Sequence, residues 1–200
     1  VHKVSPDTAF FCPGSLTLAG HKFNCWNHAG HGSQNLAAAL EHSCNVYFFN
    51  LGLRSGAQII EQRSREFGLG EKTRIDLPQE KPGILSGPEW KRRTMHQGWF
   101  AGETLNLVIG QGYLLTTPLQ MVRAVGAVAT GGKLFRPFVV SKIGGMDVSP
   151  GVQTDLHLNA ADLAAVRVGM DRVVQSDQGT GQRARVEGLK ILGKTGTAQT

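Results

Sequence analysis

A helical pattern that breaks once and then resumes does most to restrict the fold of this chain. Apolar residues recur at near-helical spacing through residues 33–53, and the pattern is interrupted near Ser43. The remaining elements follow in irregular order, with helices over 56–67, 117–130 and 159–174 and strands over 135–143 and 188–200. A parallel sheet would need regular strand–helix–strand units, and the pattern does not contain them. We therefore predict an α+β fold.

Glycine and proline indicate where these elements start and stop. Pro118 occupies a first-turn position, which predicts that Leu119, Val122 and residues 125–128 face the core. Residues 69–104 are polar and rich in proline and glycine, which predicts a long surface excursion. Residues 179–181 should form a turn. Helix 159–174 should bury one apolar side, made of Leu163, Val166, Met170 and Val173.

Charge and hydropathy argue against nucleic-acid binding and against a membrane span within these residues. The net charge is +6, from 21 Lys and Arg against 15 Asp and Glu, but the basic residues are scattered apart from a cluster at residues 91–93. No aromatic residues alternate with a basic stripe, so we expect no binding to nucleic acid. No run of about 18 apolar residues occurs, so these residues contain no predicted membrane span.

Two short motifs carry groups that suit acyl transfer. Lys194 supplies positive potential, Thr195 a hydroxyl donor, and Gly196 room for a substrate backbone beside a strand. Ser43 and Asn45, at the helix break, combine a hydroxyl that relays protons with an amide that orients a substrate. Each motif alone is common in unrelated chains. A surface strand and a helix-capping turn are the simpler interpretations.

In this order, the two motifs resemble those of penicillin-binding proteins and serine β-lactamases, which share Ser-x-x-Lys, Ser-x-Asn and Lys-Thr-Gly. Residues 109–113 and 116–121, and Gly131-Gly132 followed by Arg136-Pro137, resemble class B penicillin-binding proteins. Residues 24–52, with their Gly30-His31-Gly32 turn, most resemble the elongation-type members, penicillin-binding protein 2. The resemblance covers essentially all 200 residues. It implies the transpeptidase fold, incomplete at both ends.

The Ser-x-x-Lys motif is absent from these residues, because no serine is followed three positions later by lysine. The resemblance places that motif upstream of residue 1, and the strands and helix that close the sheet downstream of Thr200. A nucleophile needs its activating base beside it. We therefore expect these 200 residues to be inactive alone.

For the parent protein, the resemblance implies a peptidoglycan D,D-transpeptidase that cross-links stem peptides through a serine acyl-enzyme and binds β-lactams. It would work outside the cytoplasmic membrane, anchored by an N-terminal segment outside this chain, with a membrane glycosyltransferase as partner. A β-lactamase or β-lactam sensor domain, or a non-catalytic scaffold held by zinc, remain alternatives. The resemblance assigns the proton relay to Ser43 and the binding of the substrate amide to Asn45. Lys194 and Thr195 would tune the electrostatic potential and the relay, and Gly196 and Thr197 would bind the substrate.

The three cysteines, Cys12, Cys25 and Cys44, allow three interpretations. They could be inert buried thiols, or Cys12 and Cys25 could form a disulfide that leaves one thiol over. They could also bind metal, since His31 follows Cys25 by six residues across a glycine-rich turn. Three thiolates and an imidazole make up a Cys₃His set, which forms closed structural zinc sites.

The resemblance adds to the third interpretation. Some members of the penicillin-binding protein 2 group carry zinc at matching positions, with acidic residues where Cys12 and Cys25 stand here. Thiolates bind zinc more strongly than carboxylates do. Residues 1–32 would then be a loop-rich segment held by zinc, and residues 33–200 the helical part and the strand that carries Lys194. His21 and His28 flank the group and are alternative ligands.

Overall fold

Residues 4–149 and 151–197 are described by the structure, a computed structural model, and they form two units that interleave along the chain. The first unit takes its described residues from 1–57, 99–112 and 160–200, and the second from 58–98 and 113–159. All of the predicted site residues belong to the first unit. No helix in the described ranges is long and apolar enough to cross a membrane.

Short elements make up both units. The α-helices of the described residues are α1 (Leu36–Glu41), α2 (Asn45–Ser55), α3 (Ala57–Glu66), α4 (Pro88–Met95), α5 (Ala101–Val108), α6 (Pro118–Ala129) and α7 (Ala160–Gln175), and a 3₁₀ turn covers Gln182–Ala184. The strands are β1 (Phe10–Cys12), β2 (Ser15–Leu18), β3 (His21–Asn24), β4 (Gly32–Gln34), β5 (Lys133–Phe135), β6 (Lys142–Ile143), β7 (Met146–Asp147) and β8 (Val152–Asp155). They form antiparallel pairs: β1 with β4, β2 with β3, β5 with β8 and β6 with β7. This mixture of helices and antiparallel strands confirms the α+β prediction.

The helix break predicted at Ser43 is confirmed. The side chain of Asn35 caps α1 by accepting a hydrogen bond from the Ala38 N–H at 3.0 Å. α1 ends at Glu41 and α2 begins at Asn45, so Ser43 lies in the turn between the two helices.

The core of the first unit forms around α2. Val46, Tyr47 and Phe49 are buried on this helix, and Leu105 of α5 is buried against the same cluster. Gly52 allows α5 to lie close, because a Cβ at this position would be 3.1 Å from the Val108 side chain. All three cysteines belong to this core, which therefore contains polarisable sulfur as well as hydrocarbon.

α7 packs against α1, and its predicted inner side is largely confirmed. Leu163, Met170 and Val173 are buried, while Val166 is half-buried. The close approach depends on Gly169, since a Cβ there would lie 2.4 Å from a methyl carbon of Leu40. α7 is consequently held close to the helix that leads into Ser43.

The predicted surface excursion over 69–104 is wrong in part, because α4 and the start of α5 lie within it. Pro88 is at the first turn of α4, where its missing N–H costs nothing, so this proline starts a helix. Thr104 of α5, the last residue of this range, is buried. Helices of eight residues hold too few turns for hydrophobic periodicity to distinguish them from a loop.

In the second unit, the predicted start of α6 is confirmed by a reciprocal cap. The Thr117 side chain accepts from the Gln120 N–H at 3.2 Å, and the Gln120 side chain accepts from the Thr117 N–H at 2.9 Å. The predicted buried side of α6 is correct only in part, because Ala127 is buried and Leu119 is half-buried but the two valines are not. Val122 is 68% exposed and Val125 is 48% exposed, whereas Gln120 and Arg123 are buried.

Long-range hydrogen bonds explain why polar residues occupy the inner side of α6. The Gln120 amide donates to Glu71 O at 2.7 Å and to Pro82 O at 2.8 Å. Arg123 donates to Phe135 O at 2.9 Å and to the Gln153 side chain at 2.8 Å. Because they are hydrogen-bonded, the buried side chains of Gln120 and Arg123 do not carry the cost of unpaired polar groups.

The two predicted strands are formed incompletely. Residues 135–143 contain only the end of β5 and all of β6, with no strand over 136–141. Residues 188–197 contain no strand, so that prediction is wrong over its described part, and residues 198–200 lie outside the described residues. Leu189 makes only an isolated antiparallel bridge with Val186, and the Gly193 N–H donates to Met170 O of α7 at 3.1 Å.

Candidate active site and metal centre

Ser43 is held in a tight turn with a left-handed backbone (φ 52°). Its N–H donates to Leu40 O at 3.2 Å, and the N–H of Cys44 donates to Ala39 O at 2.9 Å. The turn is thereby closed onto the end of α1. A left-handed serine is strained, and such strain persists where surrounding structure fixes the backbone, often at functional sites.

Lys194 and Thr195 contact Ser43 across 151 and 152 positions of sequence. Lys194 Nζ donates a short hydrogen bond to Ser43 Oγ, and it lies 3.2 Å from both Thr195 O and Thr195 Oγ1. Ser43 Oγ and Thr195 Oγ1 are 3.3 Å apart. The two predicted motifs therefore meet in one network of an amine and two hydroxyls, the kind of arrangement that transfers protons.

The lysine in this network has a perturbed proton affinity. Desolvation by burial lowers the pKa of Lys194 below its ordinary value. The residue as a whole stays exposed, while its amine contacts the hydroxyls of Ser43 and Thr195. No carboxylate of the described residues lies within ion-pair distance to oppose this effect. The neutral form of Lys194 is thus populated at lower pH than that of an ordinary surface lysine, and a neutral amine can accept a proton.

The other predicted substrate-binding residues lie in the same unit but outside the direct network. Asn45 is the first residue of α2, and its amide donates to Asn24 O at 3.3 Å. Thr197 O accepts from the Gln111 side chain at 3.1 Å, which fixes the chain beyond Lys194. Gly196 has open space where a Cβ would stand, leaving its backbone approachable.

Sequence reasoning missed Thr180 as a member of this network. Its Oγ1 lies 3.0 Å from Thr195 Oγ1 and 3.4 Å from Ser43 Oγ. The pattern of Gly179-Thr180-Gly181 predicts only a turn. A hydroxyl residue between two glycines, shortly before the Lys194 motif, was the one available signal.

The structure brings together the four residues predicted as metal ligands. Cys12 ends β1, Cys25 follows β3, His31 precedes β4 and Cys44 is the N-cap of α2. Their ligand atoms all lie within 4.8 Å of one another, and the three thiols are buried. All three cysteines are free, so the alternative Cys12–Cys25 disulfide is not formed. The alternative ligands His21 and His28 are exposed and outside the group.

The geometry of this cluster fits a tetrahedral ion. Zinc binds sulfur at about 2.3 Å and nitrogen at about 2.05 Å, so tetrahedral angles put each sulfur about 3.6 Å from the nitrogen. His31 Nδ1 lies 3.5 Å from Cys25 Sγ and 3.7 Å from Cys12 Sγ. A closed set of three sulfurs and one imidazole, shielded from water, is the chemistry of a structural zinc site.

The cluster also stabilises negative charge on sulfur. The hydrogen bond from Cys44 lowers the pKa of Cys25, and backbone N–H groups near Cys25 act in the same direction against the effect of burial. The same hydrogen bond, together with burial, raises the pKa of Cys44. One proton is therefore shared within the pair, and the Cys25 thiolate, the form that binds metal, is favoured.

Aromatic rings connect this cluster to the backbone that precedes Ser43. The His31 ring stacks on the His42 ring with centroids 5.6 Å apart, and the Trp26 ring lies edge-on to His31 at 5.2 Å. The Trp26 indole donates to His42 O at 2.8 Å. His42 itself contacts the Gln34 side chain at 2.9 Å. Movement of His31 would therefore act directly on the turn that holds Ser43.

Comparison with known proteins agrees with this geometry. The family model of the penicillin-binding protein transpeptidase domain matches residues 2–200. The chain belongs to this family. It is 38% identical over 199 residues to the peptidoglycan D,D-transpeptidase MrdA of Acinetobacter baumannii, a match that covers 96% of this chain and 29% of the relative. The resemblance inferred from the motifs is thereby confirmed.

Two solved structures share the fold over almost the whole chain. Penicillin-binding protein 2 from Helicobacter pylori matches with a TM-score of 0.88 and 36% identity, over 98% of this chain and 37% of that chain. A chain from a peptidoglycan synthase complex that coordinates polymerization and crosslinking matches with a TM-score of 0.87 and 30% identity, over 99% of this chain and 33% of that chain. The chain thus spans about a third of the length of the proteins it matches.

Proposed function

We propose that this chain supplies the proton relay and the substrate carboxylate site of a peptidoglycan D,D-transpeptidase. The contact among Ser43 Oγ, Lys194 Nζ and Thr195 Oγ1 carries the proposal. The relative from Acinetobacter baumannii bears the name of such an enzyme, and that name supports the same reaction here. Stem peptides are the substrates, and β-lactams acylate the same nucleophile.

In the proposed reaction, a serine upstream of residue 1 attacks the penultimate D-alanine carbonyl of a stem peptide. The serine oxygen–carbon bond forms, the carbon–nitrogen bond to the terminal D-alanine breaks, and the serine proton reaches the departing amine through Ser43. The amine of a second stem peptide then attacks the ester. It forms the cross-linking amide and returns a proton to the serine oxygen.

The residues of this chain act on charge and orientation. Lys194 and Thr195 tune the potential and the proton relay around Ser43, and the lowered pKa of Lys194 suits this role. Asn45 hydrogen-bonds the substrate amide. Thr197 binds the terminal carboxylate beside Gly196, and backbone near Thr197 contributes to stabilising the oxyanion.

We further propose that Cys12, Cys25, His31 and Cys44 hold a structural zinc ion. Bound zinc would cross-link the strands of residues 10–34 to the start of α2 through these four residues. The fit of the Sγ–Nδ1 distances supports this assignment. Cys44 stands between Ser43 and Asn45 in sequence, so fixing its thiol fixes both neighbours.

The surroundings of the protein follow from the proposed reaction. Peptidoglycan cross-linking takes place outside the cytoplasmic membrane, so we place the protein there, anchored through a segment outside this chain. The match to a peptidoglycan synthase complex supports a membrane glycosyltransferase as partner.

Covalent labelling by a fluorescent penicillin tests the proposed function. The full-length gene product should be labelled, and Ser43→Ala should slow labelling by about 10²-fold or more because the proton relay is lost. Ser33→Ala, at an exposed serine of β4, is the matched control and should label normally. Absence of labelling in the wild type would reject the transpeptidase. Rapid release of the label by hydrolysis would favour a β-lactamase.

A further inference from the structure

Thr180 caps the helix that leads into the catalytic turn. The last carbonyls of a helix have no partner within it, and Glu41 ends α1. The Thr180 N–H donates to Glu41 O at 3.2 Å, and the Thr180 hydroxyl donates to the same oxygen at 3.3 Å. A carbonyl only accepts hydrogen bonds, so this second contact uses the hydroxyl proton of Thr180.

The bond from the Thr180 hydroxyl to Glu41 O fixes which hydroxyls of the network donate and which accept. Because the Thr180 hydroxyl proton is donated to Glu41 O, Thr180 Oγ1 can only accept hydrogen bonds from the other two hydroxyls. It lies 3.0 Å from Thr195 Oγ1 and 3.4 Å from Ser43 Oγ. Their protons then point towards Thr180. A lone pair of Ser43 Oγ is consequently left facing Lys194 Nζ, which donates to it.

The loop that carries Thr180 is fixed by its two glycines. A Cβ at Gly179 would lie 2.3 Å from Val173 O, and a Cβ at Gly181 would lie 2.9 Å from a Val173 methyl carbon. The Gly181 N–H donates to Val173 O at 2.8 Å. The chain therefore lies directly against the end of α7, and Thr180 has little freedom to move away from Glu41.

We propose that Thr180 is a positioning residue of the relay, whose hydroxyl orients the Ser43 and Thr195 hydroxyls for proton transfer. The inference rests on the proposed transpeptidase function and deepens it. Thr180 acts through Ser43 and Thr195, so its loss should slow the covalent step while leaving the initial binding of a β-lactam unchanged.

The test compares Thr180→Val and Thr180→Ser in the full-length gene product, with a fluorescent penicillin as the probe. Valine keeps the shape and the backbone bond to Glu41 O but removes the hydroxyl, whereas serine keeps the hydroxyl. Thr130→Val is the matched control. Thr130 also donates its hydroxyl to a helix carbonyl, Gly126 O at 2.8 Å, but in the second unit.

Thr180→Val should reduce the acylation rate constant roughly tenfold, the loss expected for one hydrogen bond at a reacting group. Its dissociation constant for the non-covalent complex should stay the same, and Thr180→Ser should recover most of the rate. Thr130→Val should acylate like the wild type, with a loss of melting temperature similar to that of Thr180→Val.

Two results would overturn the inference: unchanged acylation by Thr180→Val, or equal impairment of Thr180→Val and Thr180→Ser. If Thr180→Val does not fold, Thr180→Ser becomes the deciding variant. Its acylation rate constant must then stay within about threefold of the wild type. A wild type that is not labelled rejects the proposed function itself, so the two failures are distinguishable.

Discussion

Replacing Cys25 by alanine should destabilise the protein far more with zinc than without it. Cys25 is buried, and its sulfur, one of the four predicted ligand atoms, lies 3.5 Å from His31 Nδ1. The substitution removes a ligand and also a small apolar group from the core. These two effects respond differently to a chelator, so they can be separated.

The two contributions have different sizes. Losing a buried group of this size costs about 1 kcal/mol, whether or not metal is present. Losing a bound ion costs about 2.7 kcal/mol when free zinc stands at about 100 times its dissociation constant. Cys25→Ala should therefore cost about 4 kcal/mol in zinc and about 1 kcal/mol in chelator. For a domain of this size, 4 kcal/mol corresponds to roughly 8–16 °C in melting temperature.

Thermal unfolding of the purified full-length protein, with metal analysis, measures both numbers. Leu105→Ala is the control, because Leu105 is buried in the same core but offers no ligand. Its cost, about 2–5 kcal/mol, should be the same in zinc and in chelator. A wild type that binds no zinc and melts identically in chelator refutes the metal site, as does a Cys25→Ala penalty independent of zinc.

Two further predictions concern Lys194 and the second unit. Because the pKa of Lys194 is lowered in the folded state, the unfolded chain binds more protons between the folded and the ordinary lysine pKa. The free energy of unfolding of the wild type should thus rise with pH relative to Lys194→Met across that window and then level off. Equal pH profiles in chemical denaturation would contradict this. Gln120→Ala should cost roughly 2–4 kcal/mol, because Glu71 O and Pro82 O lose their donor. Gln97→Ala, at an exposed position, should cost almost nothing, and a similar small effect at Gln120 would show that these two carbonyls find other partners.

The residues of the candidate site could be predicted because each carries its chemistry locally. A helix pattern that stops at Ser43 fixes the turn, and the lysine and hydroxyl of the second motif are visible in the sequence itself. The ligand set was likewise suggested by residue type, since few residues other than cysteine and histidine form closed zinc sites. That Lys194 reaches Ser43 across 151 positions came from the family resemblance, because spacing alone carries no such information.

The errors arose where long-range hydrogen bonds outweigh hydrophobic periodicity. The pattern of α6 favours Val122 and Val125 as the inner side, but hydrogen bonds to backbone carbonyls hold Gln120 and Arg123 there instead. Thr180 was missed for a related reason. Its function depends on Glu41 O, a helix terminus 139 positions away, and no local signal reports that contact.

At the helix break, Cys44 of the proposed metal site is the direct sequence neighbour of Ser43 of the proposed relay. Cys44 has no exposed surface and faces the sulfur cluster, whereas Ser43 and Asn45 on either side are only half-buried. Since Ser43 holds a strained left-handed backbone, releasing the Cys44 thiol would also release the turn. Damage to the cluster should therefore lower stability and acylation together, whereas Ser43→Ala should lower acylation alone. Separation of the two effects in Cys25→Ala, with stability lost and acylation intact, would show that the turn is held by Trp26 and Thr180 without the metal site.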